Sequence, residues 1–262
     1  MADRYTSKMG VAVAAHPPNL ESVLGGLVAD GLLDRAVPVA GSDGEACEVA
    51  WGGRMQRAVV RNVTENGVLL VRVEAYIGQD GFPAGLRRQA QLLDVLASVI
   101  KPVVAVHDLA ARTVHDVAWL ERIKSGQIML DDAIVTKVEG TGVRWAATYG
   151  AARFGVPDLE LYGLTRDEVE PATAVLAHLH QQLLARGIQG TLTLPTGEPC
   201  YLVPVRDAWM KLPLDWPGIG RAGQVRGPGL DGPRASVSLL HPKRFGRYRQ
   251  DFAGVRRTLI PR

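Results

Sequence analysis

Residues 64–77 read Thr64-Glu65-Asn66-Gly67-Val68-Leu69-Leu70-Val71-Arg72-Val73-Glu74-Ala75-Tyr76-Ile77, and the architecture follows from them. Asn-Gly between two runs rich in β-branched residues is the strongest short-range hairpin signal, so residues 55–63 and 68–77 are predicted to pair as antiparallel strands. On the second strand Leu69, Val71, Val73, Ala75 and Ile77 share one face, while Arg72, Glu74 and Tyr76 share the other. One face is therefore buried and the other partly wet. Downstream, Leu86, Ala90, Leu93, Ala97 and Ile100 recur at helical spacing, and Leu92, Leu96 and Val99 widen the stripe into a core-facing helix face. Beyond Pro102 the apolar run 103–106 is bounded like an internal strand. Strand, helix and strand make a βαβ unit.

The pattern continues in both directions from this unit. Met9 to Ala15 reads as a first strand that stops at His16-Pro17-Pro18 without a small-residue cleavage site. Leu20, Val23, Leu24, Leu27 and Val28 then mark a short helix capped by Asn19 and ended by Gly31, weakened by Gly25-Gly26. Later, Val117–Ile123 reads as a short helix, and 133–138 with 143–148 as a hairpin around Glu139-Gly140-Thr141-Gly142. Thr165-Arg166-Asp167-Glu168 has capping-box form and opens a helix through Ala172, Leu176, Leu179 and Leu183 that ends near Gly187. Two last strands, near 190–194 and 201–205, turn at Pro195-Thr196-Gly197. The expected fold is α+β, with a mixed, largely antiparallel sheet and about three main helices. Residues 1–205 form its body. Residues 206–262, rich in Gly and Pro, are read as a basic extension that packs on the body or reaches a partner.

Composition narrows the function classes. With 262 residues, 47% of them hydrophobic and 22% charged, the chain is long enough for a substantial core. No run approaches the roughly 18 apolar residues a membrane span needs. Cys47 and Cys200 stand alone, so neither a disulfide framework nor a thiolate metal site is expected, and a reducing, cytoplasmic compartment fits best. Net charge is only +3, but it is unevenly spread: twelve basic and four acidic residues follow Val205, leaving 18 and 23 before it. The body carries about −5 and the last segment about +8, an asymmetry that points to an acidic partner or to the body itself.

At Thr148-Tyr149-Gly150-Ala151-Ala152-Arg153-Phe154-Gly155-Val156-Pro157-Asp158-Leu159-Glu160 the chain resembles an uncharacterised bacterial family of domains of unknown function, whose motif is Thr-x-Gly, then Phe-Gly-x-Pro, an acidic residue, Leu and Glu. The resemblance spans roughly residues 10–190 and departs from the pattern at Ala147 and Ala151. It implies no catalytic residues. In physical terms Gly150 and Gly155 permit backbone that other residues resist, Pro157 pushes Val156 toward extended shape, and Asp158 and Glu160 fall on one face of an extended segment. This is a turn and packing motif with carboxylates solvated or paired to Arg153; as a binding loop it would offer Arg153, Phe154, Asp158 and Glu160.

Chemistry-bearing clusters are few. His107-Asp108 and His115-Asp116 invite a metal-dependent hydrolase reading, in which clustered His and Asp hold a metal that activates water. The plainer reading makes His107 a strand-end residue and Asp116 a helix cap. Asp131-Asp132 could supply paired carboxylates, or solvated charge at a hairpin edge. His178 and His180 lie two apart on a helix, about 200° around its axis, and cannot share a metal. No nucleophile elbow, phosphate loop or dinucleotide fingerprint occurs, so no cofactor and no metal is expected.

The carboxyl-terminal cluster is the remaining signal. Lys243, Arg244, Phe245, Arg247, Tyr248, Arg249, Arg256 and Arg257 interleave cations with rings, the combination used for phosphate contact and base stacking. The expected function is a non-catalytic intracellular binding protein that contacts nucleic acid or an acidic protein through these residues. The alternative is the metal-dependent hydrolase.

Overall fold

The computed structural model describes residues 6–14, 16–52, 57–188, 192–209, 234–242 and 248–259, with 206, 209, 240–242 and 248–253 as backbone alone. The chain divides into two units, Met1–Met129 and Leu130–Arg262.

The first unit runs Ser7–Val13 (β1), Leu20–Ala29 (α1), Arg35–Pro38 (β2), Ala46–Ala50 (β3), Arg57–Glu65 (β4), Val68–Ala75 (β5), Ala84–Val99 (α2), Val103–Asp108 (β6), Thr113–His115 (β7) and Ala118–Lys124 (α3). Asn66 and Gly67 both take positive φ, 50° and 78°, as a tight primed turn requires, and close β4 onto β5. The seven-stranded sheet has the order β2-β3-β4-β5-β1-β6-β7. Both β5 and β6 are antiparallel to β1, so they run parallel to each other with β1 between them, and α2 is the crossover. The expected βαβ unit thus forms in split form, with the chain's first strand inserted at its centre.

Helix α2 buries Leu86, Ala90, Leu92, Leu93 and Leu96 of the stripe read from sequence, while Val99, expected on the core face, is exposed near the helix end. It also buries Gln89, whose side-chain amide donates to the Ser7 and Val73 carbonyls (3.2 and 3.3 Å) and whose Oε1 accepts from the Ser7 hydroxyl (2.5 Å). A buried amide is tolerated because both of its ends are met. Asn19 caps α1, accepting from the Ser22 N–H at 3.0 Å, and Asp116 does the same for Trp119 at the start of α3. Strands β2 and β3, which flank the 41–44 loop, are four and five residues long. Such short runs, one of them holding an arginine and a proline, carry too few alternations to be seen in sequence.

Gly85 lies in the first turn of α2 against Ile77, and a Cβ there would meet the Ile77 carbonyl oxygen inside van der Waals range. Alanine ordinarily favours a helix over glycine by about 1 kcal/mol. Here Gly85→Ala is expected to lower stability instead, by roughly 1–3 kcal/mol in urea unfolding, because the clash is with backbone that cannot rotate away.

The second unit runs Val135–Glu139 (β8), Arg144–Tyr149 (β9), Asp158–Leu164 (β10), Val169–Arg186 (α4), Leu192–Thr193 (β11), Pro199–Pro204 (β12), Val205–Trp209 (α5), Arg234–Pro242 (β13), Tyr248–Asp251 (β14) and Phe252–Leu259 (α6). The hairpin around 139–143 and the 195–197 turn form as expected. The capping box is present, Glu168 accepting from the Thr165 N–H at 2.7 Å, and Pro171 sits in the first turn of α4. Its sheet has the order β11-β12-β13-β10-β9-β8, with β14 on β13. All pairs are antiparallel except β10 with β13.

Residues 234–242, read from sequence as part of an extension, are therefore a central strand between β12 and β10. Register places Ala146, Thr148, Leu159, Leu161, Val237 and Leu239 on one face, which α4 covers. Helix α6 packs on α4, β10 and β13. The opposite face carries Trp145, Tyr149, Asp158, Glu160, Tyr162, Arg234, Ser236 and Ser238, and it too is buried. The fold is α+β with two mostly antiparallel sheets. Among the described residues no helix is long and apolar enough to cross a membrane.

Candidate functional site

The Thr148–Glu160 motif builds the junction of β9 and β10. Gly150 (φ 107°) and Gly155 (φ 79°) bracket a 3-10 turn over 151–154 that reverses the chain. Thr148 Oγ1 accepts from the Leu159 N–H at 2.7 Å and lies 2.9 Å from His180 Nε2. Asp158 Oδ1 accepts from the Ala151 N–H at 2.9 Å. Arg153 is buried, donates to the Ala133 carbonyl at 2.6 Å and lies over the Phe154 ring, 5.2 Å from its centroid.

Asp158 and Glu160 do share a face and are buried rather than solvated, and Arg153 is near enough to pull the Asp158 carboxyl down. Glu160 is fully buried and Asp158 nearly so. Their partner is Arg234, from the middle of the sheet: its Nη1 donates to Glu160 Oε1 at 3.1 Å and its Nη2 lies 3.9 Å from Asp158 Oδ2. The Tyr162 hydroxyl donates to Glu160 Oε2, and the Arg234 guanidinium sits 4.5 Å from the Tyr149 ring centroid. Parallel pairing of β10 with β13 sets this up, because it puts Arg234 opposite Asp158 and Ser236 opposite Glu160.

Burial pushes the Asp158 carboxyl up to about 6, against the pull of Arg234, the Ala151 N–H and Arg153. Burial pushes His180 the other way, down to about 3, so this ring is neutral at physiological pH. The two groups act on stability with opposite signs. Asp158 binds its proton more tightly when folded, so its contribution is full below about 3.8 and is lost as pH rises through about 6. His180 binds its proton more weakly when folded, so its contribution is full above about 6.5 and is lost as pH falls toward about 3. Each contribution is on the order of a few kcal/mol. Urea unfolding from pH 4 to 7 is expected to show wild type gaining stability relative to Asp158→Asn on acidification, and losing it relative to His180→Gln. Parallel curves for all three proteins would refute both assignments.

The basic cluster separates into three groups. Arg256 makes a two-point contact with Glu168, Nε to Oε2 at 3.0 Å and Nη2 to Oε1 at 3.2 Å, and so ties α6 to the capping box. Although burial raises it, the Glu168 carboxyl is held below its ordinary value by the Thr165 N–H and by Arg256. Arg257 is exposed on α6. Tyr248 and Arg249 lie in β14, paired with Pro242 and His241. Lys243, Arg244, Phe245 and Arg247 lie outside the described residues.

The histidine and acidic pairs stay apart. Val106 pairs with His115 and His107 with Val114, so register puts His107 and His115 on opposite faces of their sheet. Asp108 is buried and accepts from the Ala111 N–H at 3.0 Å, while His115 stacks on Trp119 at 4.4 Å between centroids. Asp132, expected as solvated charge, is buried beside an exposed Asp131. His178 lies 3.1 Å from the Thr193 carbonyl, on a different side of α4 from His180. Among the described residues no group of three or more His, Cys, Asp or Glu is placed to hold a metal ion. Cys47 and Cys200 are free and buried, and burial pushes the Cys200 thiol up to about 12.

Arg234, Tyr149 and Tyr162 escape sequence reasoning as site residues. Arg234 is 74 residues from Glu160 along the chain. The one local signal was the alternation Ala235-Ser236-Val237-Ser238-Leu239, which has the period of a strand. No family model matches the chain, and no curated protein or solved structure matches it.

Proposed function

We propose that this is a non-catalytic, cytoplasmic binding protein that contacts an acidic partner through its carboxyl-terminal basic segment, with nucleic acid the partner to test first. The resemblance of its Thr148–Glu160 motif to an uncharacterised bacterial family is likewise a proposal, and it adds no chemistry. The observation that carries the reading is the anchoring of the basic segment. Pro242 and Tyr248 are paired residues of β13 and β14, and Lys243, Arg244, Phe245 and Arg247 fall between them in the sequence. Arg256, by contrast, serves as an anchor through Glu168. The metal-dependent hydrolase reading gains no comparable support, since His107 and His115 face opposite ways.

Removing the whole segment would not test this proposal, because β13 is a central strand. The clean variant is Lys243→Gln, Arg244→Gln, Arg247→Gln. Wild type is expected to bind a single-stranded oligonucleotide with an affinity that falls steeply with salt, since each neutralised phosphate releases about 0.7 of a counterion. The triple variant is expected to keep its near-ultraviolet circular dichroism while its log–log salt slope drops by about two. Equal affinity and slope in the two proteins would remove nucleic acid as the partner.

A further inference from the structure

The chain has three asparagines, and the fold treats them differently. Asn19 precedes Leu20, and its side-chain oxygen accepts from the Ser22 N–H at 3.0 Å. Asn62 precedes Val63, and its side-chain amide donates to the Pro18 carbonyl at 2.9 Å. Asn66 precedes Gly67, both are exposed, and among the described residues none hydrogen-bonds to the Asn66 carboxamide. The β4–β5 ladder ends at the pair Glu65–Val68, so the Gly67 N–H lies outside it. A Cβ built on Gly67 would meet no atom within 4 Å, so the turn is open there.

An asparagine in this setting can react with its own backbone. The Gly67 nitrogen attacks Asn66 Cγ, a C–N bond forms, and the carboxamide nitrogen leaves as ammonia with the proton from Gly67. Water then opens the cyclic imide. Cleavage of the bond to Cγ gives aspartate, whereas cleavage of the bond to the Asn66 main-chain carbonyl carbon gives isoaspartate. In isoaspartate the chain runs through Cβ and Cγ and carries an extra carbon. A two-residue loop with φ of 50° and 78° has no slack for that atom, although Asp-Gly suits it as well as Asn-Gly does. The strand ends paired as Thr64–Leu69 and Glu65–Val68 would then part.

We infer that Asn66-Gly67 is a self-modification site, where imide formation and hydrolysis yield an isoaspartyl linkage that permanently releases the β4–β5 turn. The attack requires rotation about the Asn66 Cα–C bond, which the closed turn opposes, so the reaction runs through local opening of the hairpin end. The site is independent of the basic segment.

Holding the full chain in mildly alkaline buffer, with and without urea, tests it, with the tryptic peptide Asn62–Arg72 followed by mass spectrometry. Conversion is expected at residue 66 and not at residue 62, about tenfold slower in the folded protein, the effect of an opening that costs about 1.4 kcal/mol. Asn66→Gly keeps a turn-forming Gly-Gly pair without the carboxamide and is expected to show no conversion. The isoaspartyl fraction, separated by ion exchange, is expected to unfold at lower urea than the unmodified protein, while Asn66→Asp unfolds with the unmodified protein. The proposal is overturned if the folded protein shows no conversion while the urea-unfolded chain converts completely, or if the isoaspartyl fraction unfolds at the same urea as the unmodified protein. Conversion that persists in Asn66→Gly overturns it equally. Should that variant fail to fold, the folded and unfolded wild-type chains decide.

Discussion

Ending the chain after Pro233 is expected to abolish cooperative unfolding of the second unit while the first keeps its own transition. The deletion removes β13 from between β12 and β10, and β14 and α6 go with it. Leu159, Leu161 and Cys200 lose the cover of a neighbouring strand, and β10 and β12 become open edges. Asp158 and Glu160 lose Arg234, and Glu168 loses Arg256. The first unit has its own sheet and its own buried residues, including Met9, Leu70, Leu93 and Leu120. Limited proteolysis of the truncated chain should therefore leave a fragment near residues 1–129 and degrade the remainder. A truncated protein whose second unit resists protease as the full chain does would show that β13 is dispensable, contrary to its central place.

Arg234→Ala is expected to cost about 3–5 kcal/mol of stability, because it takes from two buried carboxylates the cation that contacts them both. The loss should exceed that of Arg256→Ala, whose Glu168 partner is less buried and can turn to solvent. Arg234→Lys should recover only part, since a single ammonium cannot reproduce a planar fork that reaches Asp158 and Glu160 together and lies over Tyr149. Combining Arg234→Met with Asp158→Asn and Glu160→Gln should recover more than the lysine does, because neutral amides remove the uncompensated charge. Urea unfolding of the four proteins at pH 7 gives the comparison. A loss below 1 kcal/mol for Arg234→Ala would mean that the carboxylates are met in some other way.

These two results bear on the basic segment as well. Its positive charge divides into cations that hold the fold and the remainder, on which alone a binding proposal can draw. Arg234 and Arg256 belong to the first kind by their contacts with Asp158, Glu160 and Glu168. Charge counting along the sequence merges the two kinds. A basic cluster therefore supports a binding proposal only after its structural arginines have been set aside.

How much could be read beforehand varies with the range of the interaction. The Asn66-Gly67 turn, the Asn19 and Asp116 caps, the Thr165/Glu168 box and the α2 stripe were all legible, because each is decided by residues within a few positions of one another. The motif at Thr148–Glu160 was legible as a turn, since Gly150 and Gly155 declare their positive φ through the absence of a side chain. The short strands β2 and β3 were not, because four or five residues hold too little periodicity. The contact of Asp158 and Glu160 with Arg234 was not legible either, because the nearest cation in sequence is Arg153 and Arg234 lies far along the chain.

By itself the sequence determined the α+β class, the helix ends, the hairpins and the common face of Asp158 and Glu160, all consequences of backbone geometry over a few residues. Only the tertiary structure decided that the first strand lies inside its sheet, that His107 and His115 face apart, and that Arg234 reaches the buried carboxylates. Strand pairing joins residues tens of positions apart at no cost that local sequence records. Burial, which gives an unpaired charge its energetic weight, exists only once those strands have come together.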